Sequence, residues 1–310
     1  HFTDWIIAHV HVGALAWNGF LTFGMIYYLV PKLFKTKLHS VGLANLHFWI
    51  GTLGIIMYAL PMYVAGFTQA SMWKQFNPDG TLVYGNFLET VSEIIPMYWM
   101  RAIGGSLYIL GAFVMLYNVF KTVKSGSKVT DELAEAAPLQ RVTSKRTAKE
   151  GYHTWLERRP VKLTIFATIA ILIGGMVQII PSLIVDDYVP VISTVKPYTP
   201  LELEGRDLYI REGCVSCHSQ MIRPFRSEVE RYGEYSKSGE YVYDHPFLWG
   251  SKRTGPDLLR VGGKYSDNWH LNHMYDPQST SSGSIMPSYS WLIRSELDKS
   301  KTEDKMRAMQ

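Results

Sequence analysis

Apolar residues gather in four long runs along the chain. The first covers roughly Trp5 to Val30 and is expected to end at Pro31. The second covers roughly His47 to Phe67, the third roughly Tyr98 to Phe120, and the fourth, Leu163 to Val185, is the most uniformly apolar. Each can cross a bilayer, which takes about 20 helical residues. Tyr and Trp collect near the run ends (Trp5, Tyr27, Tyr28, Trp73, Tyr98, Trp99, Tyr188), as interfacial belts do. Beyond Val185 the pattern changes. Pro190, Pro197 and Pro200 predict a stiff, extended neck. Glu202 to Arg211 and Ser266 to Tyr275 read as helices, and Pro287 to Arg294 as the start of a last one. Arg223 to Arg253 reads as an insert rich in Tyr, Gly and charge, without clear periodicity.

Composition reinforces this division. Of 310 residues, 47% are hydrophobic and 19% charged, yet the mean hydropathy is −0.02, an average over a membrane-like half and a polar half. The net charge of +4 is small, and the basic residues flank apolar runs, so nucleic acid is not an expected partner. Lys32, Lys35 and Lys37 lie between the first two runs. Lys124, Lys128, Arg141, Lys145, Arg146, Lys149, Arg158, Arg159 and Lys162 lie between the last two. The middle loop carries only Lys74, with Arg101 just inside the third run. The excess of Lys and Arg in cytoplasmic loops then puts the first and third loops inside and everything after Val185 outside. Residues 124–160 read as a charged linker with a weak helical pattern at Asp131 to Ala137. No secretory signal is visible, and a start at His1 without Met suggests a piece of a longer polypeptide.

Both cysteines fall in Cys214-Val215-Ser216-Cys217-His218, the attachment signature of a c-type haem. Two intervening residues let both sulfurs reach one edge of the porphyrin while His218 turns beneath the iron. A zinc site would want a second ligand pair, and a redox dithiol does not need the adjoining histidine. The sixth ligand is expected at Met286, in Gly283-Ser284-Ile285-Met286-Pro287. Met274, in a helix-like run, is the runner-up, and Met221 lies on the wrong side of the ring. Gly255-Pro256-Asp257-Leu258 resembles the segment of small cytochromes c whose Pro carbonyl accepts the proximal imidazole N–H.

The first run also carries His9 and His11. Ionisable residues within a spanning helix are costly and usually functional. Two positions apart on a helix of 3.6 residues per turn, they lie about 200° apart. Opposite-facing imidazoles suit a helix wedged between two haems, with Gly13, Ala14 and Ala16 leaving room for a flat macrocycle. The bland alternative is a pair of histidines bonded to neighbouring helices.

The run His9 to Trp17, with Asn45 to Trp49, resembles subunit I of cbb3-type cytochrome c oxidase. From Arg158 onward, through Cys217 to Arg226 and Asp244 to Leu258, the chain resembles that enzyme's mono-haem subunit II. The join resembles a fusion of the two subunits in one chain. This implies a mainly α fold, the helices of a haem–copper oxidase bundle followed by a membrane-anchored, mostly helical cytochrome c domain. The implied divisions are residues 1–123 (subunit I spans), 124–160 (cytoplasmic linker), 161–188 (anchor) and 189–310 (periplasmic mono-haem domain). The resemblance further implies covalent haem c on Cys214, Cys217, His218 and Met286, with a high-spin haem b on His9 and a low-spin haem b on His11. Copper would be held by residues outside this sequence, as would the second ligand of the low-spin haem.

Dioxygen reduction to water with proton translocation, a bacterial inner-membrane location, a cytochrome c donor and further subunits, including another c-type cytochrome, are implied in the same way. A nitric oxide reductase-like complex and a membrane-anchored electron carrier without catalysis are the rivals. Arg101 is a candidate contact for a haem propionate. His1 stands where the superfamily often places a polar residue near the propionates. Glu89 and Glu93 are expected in the outer loop, His47 near the inner membrane face as a structural or proton-entry group, and His39 simply solvated.

Overall fold

In the computed structural model the chain is described over residues 1–130, 151–184 and 190–309. It is mainly helical, and no strand occurs among the described residues. Helix α1 runs Trp5–Leu33, α2 Val41–Met72 and α3 Phe87–Lys124. A short α4 (Tyr152–Glu157) precedes α5 (Pro160–Ile184). Then come α6 (Pro200–Arg211), α7 (Arg226–Tyr232), α8 (Asp267–Tyr275), a single turn α9 (Pro277–Thr280), another α10 (Trp291–Arg294), and α11 (Thr302–Ala308). Among the described residues four helices, α1, α2, α3 and α5, are long and apolar enough to cross a membrane.

Several ends differ from the expected ones. α1 does not stop at Pro31 but includes it and ends at Leu33. Proline removes one ladder bond, which is cheap two residues from a helix end. α3 begins eleven residues before the expected Tyr98, so Glu89 and Glu93 lie on a helix and not in a loop. The reason is local: the Asn86 side chain accepts the Leu88 N–H at 3.0 Å and caps the helix ahead of the apolar run. Ser40 does the same for α2, accepting from Leu43 N at 3.1 Å. The expected last helix at Pro287 is a single turn at Trp291–Arg294, and the chain ends instead on α11. Arg223 to Arg253 contains α7 and a 3-10 turn, Ser238–Tyr241. The Asp131 to Ala137 pattern lies outside the described residues.

Residues His1–Val129 and Thr194–Gln310 form one compact unit, and Thr130–Ser193 a second. In the first, α2 and α3 pack backbone against backbone. A Cβ on Gly54 or Gly104 would strike the opposite main chain, so only glycine permits this approach. Asn118, fully buried, stitches the other end by accepting from Ser40 N at 3.0 Å and donating to Ser40 O at 2.8 Å. The polar domain sits against the end of this bundle formed by the start of α1, the end of α2 and the start of α3. Phe2 O accepts the Arg253 N–H at 2.8 Å, and Arg226 donates to Gly80 O at 3.1 Å. At the opposite end of α1, Lys32 lies in its last turn and Lys35 and Lys37 follow it. In the second unit Arg159 reaches back to Trp155 O at 2.6 Å, fixing the turn into α5.

Candidate functional site

The polar domain is built around one cavity of about 490 Å³. A Thr199–Glu202 capping box starts α6, and Gly213, at φ +75°, turns the chain sharply into Cys214. The Cys214–Ser216 turn closes with His218 N donating to Cys214 O at 2.9 Å. Cys214, Cys217 and His218 therefore present their side chains to one space, and Met286 and Met274 line it as well. Met221 is not among the lining residues. Its backbone is engaged behind the cavity, with N donating to Asp257 at 2.9 Å and O accepting from Arg253 at 2.8 Å.

The walls suit a covalently held haem. His218 Nδ1 lies 2.7 Å from Pro256 O, which fixes that nitrogen as the donor and leaves Nε2 free to face a metal. A Cβ at Gly255 would overlap the imidazole, so glycine keeps the ring's place open. Burial lowers the His218 pKa against the pull of Pro256 and Asp257, keeping the ring neutral and able to bind metal. Burial likewise pushes the Cys214 thiol up. The Met286 loop is pinned on both sides. Ser284 Oγ accepts from Met286 N at 3.2 Å, Gln278 donates to Ser284 O at 3.2 Å, and Tyr289 N donates to Met274 O at 2.8 Å.

Behind the cavity lies a cluster that sequence reading missed. Arg253, 2% exposed, bonds Ser219 at 2.6 Å, Glu228 at 2.9 and 3.0 Å, and Asp257 at 3.4 Å. Its guanidinium lies 4.3 Å from the Phe2 ring, which is itself fully buried. Burial works to raise the Glu228 pKa, but the bonds from Arg253 and Arg223 hold it below the usual range. The cavity's remaining wall comes from the bundle: Gly85, Asn86, Phe87, Leu88 and Val91 at the start of α3.

In the bundle His9 and His11 part company. His11 lines an apolar cleft of about 680 Å³ with Tyr58, Gly104, Gly105 and Tyr108. Its Nδ1 lies 2.8 Å from Ile7 O, which leaves Nε2 available. His9 is absent from that cleft, exposed, and stacked on Trp5 with ring centroids 5.3 Å apart. Directly after His11 the helix takes π-helical turns, Val12–Gly19, and Tyr108 reaches in to donate to Leu15 O at 2.8 Å. Such π segments are frequent at functional sites.

Arg101 lies over the rings of Tyr58 and Tyr98, at 5.4 and 6.0 Å. Nearby, buried Asp4 accepts from Tyr98 at 2.7 Å and Gln69 at 2.9 Å, a second cluster with no sequence signal beyond its lone carboxylate. His47 is buried, its Nδ1 3.1 Å from the Tyr27 hydroxyl. His39 is exposed, its N–H donating to Thr122 Oγ1 at 3.0 Å.

A helical membrane bundle with a histidine-lined apolar cleft, capped by a domain folded around a Cys-x-x-Cys-His cavity, defines a membrane-bound haem protein. Residues 153–310 match the family described as cytochrome c oxidase, mono-heme subunit/FixO, and residues 1–107 match cytochrome c and quinol oxidase polypeptide I. The chain belongs to the first family, its mono-haem subunit joined in one polypeptide to a stretch of oxidase polypeptide I.

Among similar proteins are the cytochrome c oxidase subunit 1 homolog of Agrobacterium tumefaciens (strain T37), 50% identical over 139 residues, and cytochrome c oxidase subunit 1 of Rhodobacter capsulatus, 46% identical over 141. These matches cover 44% and 45% of this chain and 26% of each relative. The cbb3-type cytochrome c oxidase subunit CcoN1 of Stutzerimonas stutzeri is 44% identical over 126 residues, 40% of this chain and 26% of that protein. The chain thus spans about a quarter of the length of these relatives.

Proposed function

We propose that the chain is part of a cbb3-type terminal oxidase. Cys214 and Cys217 hold haem c, with His218 and Met286 as its axial ligands. His11 is one ligand of a low-spin haem b and His9 the ligand of a high-spin haem b, beside a copper bound by residues outside this sequence. Such a set supplies one-electron couples between a cytochrome c donor and dioxygen, whose reduction to water drives proton translocation. Within this reading the protein contributes position. Pro256 orients His218, the pinned loop presents Met286, and Tyr108 braces the turn that follows His11.

The domain after residue 189 lies in the periplasm and the linker in the cytoplasm, with residues 161–188 the anchor between them. The opposed positions of the cavity domain and the α1 lysines support this. Further oxidase subunits, another c-type cytochrome among them, are the partners. The relatives' names favour an oxidase over a nitric oxide reductase.

The observation that carries the reading is one cavity lined by Cys214, Cys217, His218 and Met286, with Pro256 O on the imidazole. Met286→Ala in the full-length enzyme should abolish the weak near-infrared absorption of Met-to-ferric-iron ligation and lower the haem c potential, because thioether favours ferrous iron. Met274 lines the same cavity, so Met274→Ala is the control. If Met274→Ala removes the band and Met286→Ala does not, the ligand assignment is wrong.

A further inference from the structure

Among the described residues, six arginines of the polar domain meet carboxylates. Arg206 pairs with Asp244, Arg211 with Glu212, Arg223 with Glu228, Arg253 with Glu228 and Asp257, Arg260 with Glu240, and Arg307 with Glu303. Arg231 is different. Among the described residues it meets no carboxylate at ion-pair distance, and it donates instead to two backbone carbonyls, Tyr84 O at 2.8 Å and Gly85 O at 3.1 Å. A guanidinium has five N–H donors in a fixed fork, so three remain. Burial lowers its pKa, as it must for a cation removed from water without a bonded counter-charge. Arg231 and its neighbour Tyr232 both line the cavity that holds Cys214, Cys217 and His218. Burial pushes the Tyr232 phenol up to about 12, so it stays a hydrogen-bond donor at neutral pH.

Haem brings two carboxylates into whatever cavity holds it, and a carboxylate taken out of water needs charged or hydrogen-bonding partners. Three cations line this cavity: Arg231, Arg260 and Lys264. Arg260 is already held by both oxygens of Glu240, at 2.6 and 2.8 Å. Lys264 is exposed at the rim, its ammonium 5.8 Å from the Tyr265 ring. We propose that Arg231, with Tyr232 beside it, anchors a propionate carboxylate of the haem c attached at Cys214 and Cys217. The same guanidinium ties that carboxylate to the Tyr84–Gly85 turn between α2 and α3. The planar fork suits this double task, because it can grip a carboxylate on one edge while donating to carbonyls from another. The inference rests on the c-haem reading of the cavity.

The test uses the purified full-length enzyme. Haem staining on a denaturing gel reports covalent attachment, and equilibrium titration reports the haem c potential. Redox-difference infrared spectra with ¹³C-labelled propionate carboxyls report the anchor itself. Arg231→Gln should keep the covalent haem but cut the ferrous-to-ferric ratio at fixed ambient potential about tenfold, a downward shift of about 59 mV. Arg231→Lys should restore most of the potential while moving the labelled carboxylate bands, since charge returns but the fork does not. Lys264→Gln should change neither.

An attached haem with unmoved potential and bands in Arg231→Gln overturns the proposal, as does Lys264→Gln moving them instead. Should Arg231→Gln fail to mature, unmoved bands in Arg231→Lys overturn it equally. Absence of covalent haem from the unaltered enzyme would defeat the c-haem reading itself, a distinct result.

Discussion

Arg253 organises the haem domain from behind. A guanidinium 2% exposed is tolerable only when its donors and charge are met, and here Glu228, Asp257, Ser219 and the Met221 carbonyl meet them. Removing one partner of a buried pair leaves an uncompensated charge, at a cost of about 3–5 kcal/mol. Glu228→Gln should therefore destabilise the domain by about 3 kcal/mol, read as a lowered melting midpoint of the haem c Soret band in the full-length enzyme. The same carboxylate sets an acid limit. Its folded-state pKa is held below the unfolded value, so its contribution is full above the ordinary glutamate range and disappears as pH falls through the folded value. In Glu228→Gln that acid-dependent part of the melting curve should flatten, and an unaltered pH profile would show that Glu228 does not supply it. At this scale the Cys-x-x-Cys-His motif and Pro256 were legible because each is a short-range pattern tied to one chemistry. Phe2 and Arg253 were not, because one aromatic and one arginine 251 positions apart carry no mark of their meeting.

The informative element is α1. Its two histidines diverge as helical spacing demands, and the tertiary packing adds what spacing cannot: His11 enters the α2–α3 cleft while His9 stacks on Trp5. If each serves a different haem, their replacements should have different spectra. In the full-length enzyme His11→Ala should erase the sharp low-spin b signal, since an iron losing an axial imidazole turns high-spin or is lost. His9→Ala should spare that signal and abolish carbon monoxide binding at the high-spin haem. Both should leave covalent haem c intact, and retention of both b haems in both variants would make the histidines structural. The existence of the spanning helices was readable from apolar run length, but their ends were not. An apolar run measures the bilayer, whereas a helix continues as far as its backbone bonds and caps allow. At 38 residues and about 1.5 Å each, α3 is about 57 Å long, well beyond the about 30 Å hydrocarbon core. That excess is what lets Phe87, Leu88 and Val91 wall the haem cavity.

For the whole molecule, the seating of the polar domain on one end of the α1–α3 bundle bears on topology. Lys32 sits in the last turn of α1 and Lys35 and Lys37 follow it; basic loops stay cytoplasmic, which supports the proposed placement of the haem domain on the other side of the membrane. Protease added to right-side-out spheroplasts should cut within residues 190–309 and spare the linker around Lys145, and cleavage at the linker alone would reverse the topology. Apolar runs, loop charge, the haem-attachment motif and the paired histidines were determined by sequence alone. Each is a local pattern, and solvent, bilayer and metal read it directly. Only the tertiary structure decided that Phe2 lies against Arg253, that the start of α3 closes the haem cavity, and that Arg231 faces that cavity while holding the Tyr84–Gly85 turn. Those contacts join residues far apart in the chain through shape and burial, and burial is what turns an ordinary surface arginine into a cation in need of a specific anion.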